Sequence, residues 1–205
     1  MNSEKAIKQL KAIERLVGEF GEEPRLAAEG WDENWKTLIA IILSAQSRDT
    51  KTVAVCEDLF GKYGLVEDLA VASLGEIEEV IGSVNFYKTK ARNVKSAAEI
   101  IVDDGFIGEN VEELIRLPGV GRKTANVYLV AVRNADAIGV DTHVGRIAFK
   151  LGWTKNEEPY KVERDLMELF PKEYWNSINW ILVRFGQTVG RSRGREDEVL
   201  ERLRR

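Results

Sequence analysis

The sequence predicts an all-α protein built from two helical lobes, and three observations support that fold class. Apolar residues recur at helical spacing between the turns, as they do at Ile7, Leu10 and Ile13. The period-two alternation that marks β-strands is absent. Residues 22–32 contain a proline and a glycine and show no clear period, so we expect this segment to connect the two lobes.

The helices of the first part of the chain are predicted from their apolar faces and capping residues. Residues 3–20 form an amphipathic helix, whereas 35–45 is apolar almost throughout and is therefore predicted to lie inside a bundle. Asp49 is a predicted N-cap, and Ser73 with Glu76 forms a predicted capping box. The predicted helices cover 3–20, 35–45, 50–63, two short segments within 65–80, 89–104 and 111–117.

A turn of proline and glycine interrupts the helical pattern at residues 117–121, which read LPGVG. No helix can pass through Pro118 and two glycines intact, so one helix ends before the turn and another begins after it. Gly119 and Gly121 lack Cβ and let the backbone approach a ligand closely, while the free N–H groups of the next helix attract an anion such as phosphate. Arg122 adds positive charge. Taken alone, such a turn is more often a simple connector.

Lys123 lies in the first turn of the following helix, where the macrodipole disfavours positive charge. The apolar helix after Lys123 and the extended segment 135–140 have similar reach, so Asp141 can return to face Lys123. An amine and an opposed carboxylate are the minimal pair for nucleophilic attack on a carbon that loses a leaving group. Asp141 followed by Thr142 is also an N-cap pattern, and the two roles are compatible.

The rest of the chain completes the predicted two-domain organisation. Further helices are predicted at 142–151, 160–170, 174–185 and 196–204. We expect residues 26–134 to form one helical domain, which contains the hairpin and its flanking helices at about 112–134. Residues 1–25 and 135–205 are expected to form a second domain from both termini, which carries Asp141.

The charges are unevenly distributed along this acidic chain. Its net charge of −4 disfavours a nucleic-acid partner when the chain is taken as a whole. Lys88, Lys90 and Arg92 nevertheless lie in a run without an acid, and so do Arg191 and Arg193. Together the runs predict one positive face, although either run alone is better explained as a solvated helix face.

Cysteine content and hydropathy exclude several classes of protein. The single cysteine, Cys56, excludes an internal disulfide and a multi-cysteine metal site within one chain, and we expect it to be buried. No apolar run approaches the roughly 20 residues needed to span a membrane. The N-terminus is charged and amphipathic instead of signal-like, so we expect a cytoplasmic protein.

Four segments resemble the helix-hairpin-helix DNA glycosylases, and most of all their endonuclease III branch. LPGVGRKTA at 117–125 and VDTHVGR at 140–146 carry the resemblance, which extends to ILSAQSRDTK at 42–51 and NFYKTKARNVKSAAEII at 85–101. It implies a bifunctional DNA glycosylase and abasic-site lyase of base-excision repair. Such an enzyme would remove damaged bases, which we expect to be oxidised pyrimidines, from duplex DNA.

The resemblance implies a role for each matched residue. Lys123 matches the lysine that attacks the sugar C1′, expels the base and forms the Schiff base from which β-elimination cleaves the strand. Asp141 matches the aspartate that assists deprotonation and stabilises positive charge on the sugar. Gln46 matches the residue inserted opposite the orphaned base, and Phe86 matches an apolar wedge. The alternatives are a plain helix-end position for Gln46 and a core anchor for Phe86.

The same resemblance implies a DNA-binding cleft between the lobes, occupied by a duplex with a flipped damaged base. We expect a monomer, associated with the nucleoid if prokaryotic. His143, the only histidine, is expected to form structural hydrogen bonds instead of taking part in catalysis. The expected DNA contacts are Gln46, Phe86, Lys88, Lys90, Arg92, Gly119, Gly121, Arg122, Arg191 and Arg193.

The chain also departs from the family pattern. Many members of the branch hold an iron-sulfur cluster with four cysteines near the C-terminus, but residues 190–197 contain none, so ligand count excludes a cluster. No organic cofactor is implied, whereas a monovalent cation at the hairpin is. Adenine-removing relatives place a glutamate in the helix before the Gln46 segment, where this chain has Ile41 in that neighbourhood, and Lys123 disfavours both adenine and thymine-mismatch specificity. The alternatives are a glycosylase for 8-oxoguanine or uracil and a non-catalytic DNA-binding module.

Overall fold

The computed structural model describes residues 1–21 and 24–204, which contain helices and no strand. The predicted all-α class is therefore confirmed. Residues 22 and 23 of the predicted connection 22–32, and residue 205, lie outside the described residues. Helices α1 to α12 span Ser3–Glu19, Asn34–Ser44, Asp49–Lys62, Val66–Val71, Leu74–Ile81, Tyr87–Asp104, Val111–Leu114, Arg122–Arg133, Thr142–Leu151, Pro159–Leu169, Trp175–Gln187 and Arg193–Arg204.

The chain folds into two compact units. One consists of Met1–Pro24 and Asn134–Arg205, and the other of Arg25–Arg133. In the first unit α1 and α12 pack with α9 and α11 around a core that includes Leu10, Ile147 and Phe185. Both ends of the chain therefore contribute to the unit that contains Asp141.

The unit Arg25–Arg133 is built around α2. Residues 38–43 of this helix are all at most 2% exposed, and α2 contacts α3, α6 and α8. The burial predicted from its apolar sequence is confirmed. Helix α2 packs against α8, and its Ile42 lies next to Gly119 of the hairpin. No described helix is both long enough and apolar enough to cross a membrane.

Several predicted boundaries were wrong: α12 begins at Arg193, three residues earlier than expected, and α11 ends at Gln187, two residues later. The helix before the hairpin ends at Leu114, because Leu117 N–H donates to Leu114 O in a three-residue turn before Pro118. Helix α6 begins at Tyr87, two residues earlier than expected. Asp49 is the first residue of α3 and Arg48 is the N-cap, while Asp49 Oδ1 accepts a hydrogen bond from Ala27 N–H at 3.0 Å.

Candidate catalytic and nucleic-acid-binding site

The hairpin between α7 and α8 requires glycine at position 119. Gly119 has φ of 82°, and a Cβ there would lie 2.8 Å from Asn93 Nδ2 and 3.1 Å from Ile42 Cγ2. Backbone conformation and space thus both exclude a side chain. A Cβ at Gly121 would meet nothing within 4 Å. The hairpin therefore packs tightly against α2 and α6 at Gly119, whereas Gly121 has space around it.

Lys123 is the second residue of α8, which begins at Arg122 immediately after the hairpin. Ala125 N–H donates to Gly121 O at 2.9 Å, and this bond fixes the first turn. The next residues, Thr124 and Ala125, are buried, whereas Lys123 is half-buried. Within the described unit Arg25–Arg133, no side chain forms a hydrogen bond or ion pair with its Nζ. The amine is thus positioned by its helix and has no bonded side chain within that unit.

Asp141 is the N-cap of α9, as its sequence pattern predicted. Its backbone is extended, and Oδ1 accepts a hydrogen bond from Val144 N–H at 2.8 Å. Within the described part of its unit, Oδ2 forms no hydrogen bond. Capping therefore fixes the orientation of the carboxylate through Oδ1.

Arg146 lies one turn further along α9 and connects several polar groups. Its Nη2 lies 3.1 Å from His143 Nδ1. The pKa of Arg146 is raised, mainly by its hydrogen bond to Glu196 and to a smaller degree by the charge of Asp141. The His143 ring lies so close to Gly186 of α11 that any Cβ at Gly186 would overlap its Nδ1. These contacts support a structural role for the histidine.

Glu196 anchors the last helix to α9. Its side chain is 1% exposed, and Oε1 accepts hydrogen bonds from Arg146 Nε at 2.9 Å and from Lys150 Nζ at 2.7 Å. Oε2 accepts from Arg146 Nη2 at 2.8 Å. This buried carboxylate was missed from the sequence, where it follows a run of arginines that indicated a surface.

The residues around Glu196, at the start of α12, do not fit an iron-sulfur cluster. Residues 190–197 contain no cysteine, and the interior there is occupied by the carboxylate of Glu196 bonded to Arg146 and Lys150. Over residues 1–21 and 24–204, no three His, Cys, Asp or Glu side chains are grouped to hold a metal ion. The ion pairs of Glu196 hold α12 in position instead.

Replacing Glu196 by glutamine is expected to lower the free energy of unfolding by about 2 to 3 kcal/mol at neutral pH. The amide preserves the shape of the side chain but removes the charge that pairs with Arg146 and Lys150. Urea unfolding followed by tryptophan fluorescence measures the loss. Glu198→Gln is the matched control, because that carboxylate is exposed and its ion pair with Arg202 should contribute little.

The same variant should change how stability depends on pH. Burial raises the pKa of Glu196, but the hydrogen bonds from Arg146 and Lys150 outweigh it and hold the pKa below its usual value of 4.5. A carboxyl with a lowered folded-state pKa stabilises the fold fully above its unfolded-state pKa and loses this contribution as pH falls through the folded value. Below about pH 4.5, stability should therefore decline more steeply in the unmodified protein than in Glu196→Gln. Equal slopes would contradict the assignment.

The predicted phosphate contacts separate into exposed and buried residues. Lys88, Arg92, Arg191 and Arg193 are exposed and accessible to a polyanion. Lys90 is only 5% exposed, and its Nζ bonds internally to Leu43 O and Ser47 Oγ. Its burial lowers its pKa to about 8. The prediction that Lys90 contacts a phosphate is therefore corrected, since its amine points into the protein.

Gln46 and Phe86 share an uncommon backbone conformation. Their φ angles are 55° and 58°, in the left-handed region that costs a side-chain-bearing residue about 1 to 2 kcal/mol. Both residues are exposed, and Phe86 retains 65% of its accessible surface. The alternative that Phe86 anchors its loop in the core is thereby excluded. Such strain at exposed residues is typical of sites that contact a ligand.

Comparison with known proteins gives the family of the chain. A family model described as HhH-GPD superfamily base excision DNA repair protein matches residues 39–172. The endonuclease III of Synechocystis sp. is 42% identical over 155 residues, which cover 74% of this chain and 71% of that protein. The endonuclease III of Bacillus subtilis is 36% identical over 183 residues, which cover 87% of this chain and 84% of that protein.

A solved structure is similar over nearly the whole chain. It is a trapped covalent intermediate of endonuclease III with DNA, in an estranged-adenine complex, and is 33% identical to this chain with a TM-score of 0.81. The match covers 91% of this chain and 87% of that one. The chain therefore belongs to the HhH-GPD superfamily of base excision DNA repair proteins, in the endonuclease III branch.

Proposed function

We propose that this protein is a bifunctional DNA glycosylase and abasic-site lyase that removes oxidised pyrimidines from duplex DNA. Lys123 is the proposed nucleophile and Asp141 the proposed catalytic carboxylate. The observation that carries the proposal is the position of Lys123, which is half-buried, without a bonded partner in its described unit, and directly behind a hairpin closed by Gly119. The likeness to an endonuclease III trapped covalently on DNA supports a covalent route.

The reaction begins after the damaged nucleotide has rotated out of the helical stack. The uncharged Lys123 amine donates its electron pair to C1′, and the bond between C1′ and the base breaks with its electrons leaving on the base. Loss of a proton from the nitrogen and opening of the sugar ring give a Schiff base. Removal of a proton from C2′ then breaks the C3′–O bond, and hydrolysis of the imine releases Lys123.

Asp141 has two tasks in this sequence. Its carboxylate accepts a proton during the attack and stabilises positive charge as it develops on the sugar. The hydrogen bond from Val144 N–H to Oδ1 orients the carboxylate and leaves Oδ2 for these tasks. Because the cap belongs to the helix itself, no further side chain is needed to orient Asp141.

We propose that the reaction needs no organic cofactor, because the Lys123 amine itself supplies the nucleophile. We also propose that it needs no iron-sulfur cluster, since the chain has a single cysteine. Family likeness implies a monovalent cation at the hairpin, and residues 117–121 offer main-chain carbonyls for it. Leu117 O and Gly121 O each already accept one N–H bond and retain a second lone pair. No step above depends on that ion. We further propose that the protein acts as a monomer in the cytoplasm.

A panel of duplexes with one defined lesion each tests the substrate. The lesions are thymine glycol as the oxidised pyrimidine, 8-oxoguanine, uracil and an abasic site. We expect base release and strand cleavage with thymine glycol, and cleavage without prior base release at the abasic site. Greater activity on 8-oxoguanine or uracil would contradict the proposed substrate. Binding without release or cleavage on any duplex would indicate a non-catalytic module.

A further inference from the structure

Two exposed loops of the unit Arg25–Arg133 each contain a residue in the left-handed conformation. Gln46 lies in the loop after α2, and Phe86 lies immediately before α6. Residues with a Cβ rarely adopt this conformation, so the surrounding structure has to hold both of them in it. The contacts that hold these two residues in place therefore indicate what the loops do.

A chain of hydrogen bonds joins the two loops. Asn85 Nδ2 donates to Gln46 O at 2.6 Å, and Asn85 N–H donates to Ser47 Oγ at 3.2 Å. Lys90 Nζ donates to the same Ser47 Oγ at 3.0 Å and to Leu43 O at 2.7 Å. These four bonds connect the end of α2, both loops and the first turn of α6, and two of them, from Asn85 N–H and Lys90 Nζ, end on the hydroxyl of Ser47.

The lysine in this network is buried beside neutral groups. Lys90 is 5% exposed, and the two oxygens that it bonds are a carbonyl and a hydroxyl, so no negative charge offsets its own. An apolar side chain of the same length would fill this space at lower cost in free energy. The amine contributes specific geometry. Its two hydrogen bonds fix the position of the loop after α2 relative to α6.

We propose that Lys90 is a positioning residue that holds Gln46 and Phe86 ready to enter a DNA duplex as it opens. The inference rests on the proposed function, in which the damaged nucleotide leaves the stack. Opening a base pair costs free energy, which the inserted side chains have to offset. Side chains that are already ordered before binding offset this cost better than mobile ones, because no conformational entropy is lost in ordering them.

This role has a specific consequence for substrate dependence. A lesion that is paired with a base needs both side chains to displace and replace it. A lesion opposite a tetrahydrofuran spacer has no partner base, so its site is already partly open. Loss of the network should therefore impair action on the paired lesion far more than on the unpaired one, whereas loss of general stability should impair both alike.

The experiment measures kcat/KM of Lys90→Met on thymine glycol opposite adenine and opposite the spacer, in duplexes of one sequence. Methionine preserves the buried apolar stem and cannot donate hydrogen bonds. We expect a loss of about 10- to 100-fold on the paired lesion and of less than about 3-fold on the unpaired lesion. Asn85→Ala removes the bond to Gln46 from an exposed position and should show the same preference with a smaller loss.

Lys95→Met is the matched control. Lys95 lies on the same helix, but its Nζ donates to Ala70 O of α4 at 2.7 Å instead of to the loops. It should change kcat/KM equally on both duplexes. Equal losses on the two duplexes for Lys90→Met and Asn85→Ala, or no loss on the paired lesion, would overturn the inference. Absence of activity in the unmodified protein would instead overturn the proposed function.

Discussion

Replacing Lys123 by alanine is expected to abolish borohydride trapping of the protein on abasic DNA. Strand cleavage should fall by about 10³-fold or more, because the Schiff base that borohydride reduces requires an amine at this place. The half-buried Lys123 side chain has no bonded partner within its described unit, so alanine should not disturb the packing of α8. Denaturing gels measure the adduct and the cleaved strand together.

Lys123→Arg is the matched control for charge. Arginine retains the cation beside the hairpin, but its guanidinium stays protonated and cannot attack C1′. We expect affinity for abasic DNA close to that of the unmodified protein and no adduct. An undiminished adduct in Lys123→Ala would contradict the assignment of the nucleophile.

Replacing Asp141 by asparagine is expected to lower the single-turnover rate of base excision by about 10²- to 10⁴-fold. The asparagine oxygen can still accept the hydrogen bond from Val144 N–H, so that α9 keeps its cap while the negative charge is lost. Quench-flow measurement of base release on a thymine glycol duplex gives the rate.

Asp141→Ala separates the two roles of this residue. Alanine removes the cap as well as the charge and should cost about 1 kcal/mol of stability, whereas asparagine should cost little. Both variants should excise slowly, but only Asp141→Ala should unfold at lower urea concentration. If Asp141→Asn excised the base at the full rate, the carboxylate would have no catalytic role.

The helices with the strongest local signals were predicted most closely from the sequence. Helix α9 spans Thr142–Leu151 as predicted, because Asp141 caps its start and Gly152 adopts a left-handed conformation at its end. The capping box of Ser73 and Glu76 likewise begins α5 where it was expected. In both helices the residues that set the boundary are close in sequence to the helix end, so the local sequence is sufficient to predict it.

Residues whose partners are distant in sequence were predicted poorly. Asp49 has the character of an N-cap, but its carboxylate binds the backbone of Ala27. Lys90 and Glu196 lie in or beside basic runs that suggest a surface, yet both are buried by partners more than 40 residues away. Local charge patterns cannot indicate such partners, because burial and pairing are decided by how the helices pack.

The position of one candidate residue along its helix was predictable from local sequence. The proline and glycines at 117–121 indicated that a helix begins after the turn, so Lys123 was expected in its first turn, where the structure places it. The left-handed conformation of Gln46 and Phe86 has no such signal, since neither is a glycine. The bonds of Asn85 that accompany it join two loops about 40 residues apart in sequence.

The most direct test of the proposed mechanism is to identify the residue that carries the trapped sugar. The protein is reduced with borohydride on abasic DNA, digested with a protease and a nuclease, and analysed by tandem mass spectrometry. Attachment to Lys123 within the segment 117–133 is the expected result. Attachment to any other amine, Lys90 and the N-terminus included, would contradict the mechanism.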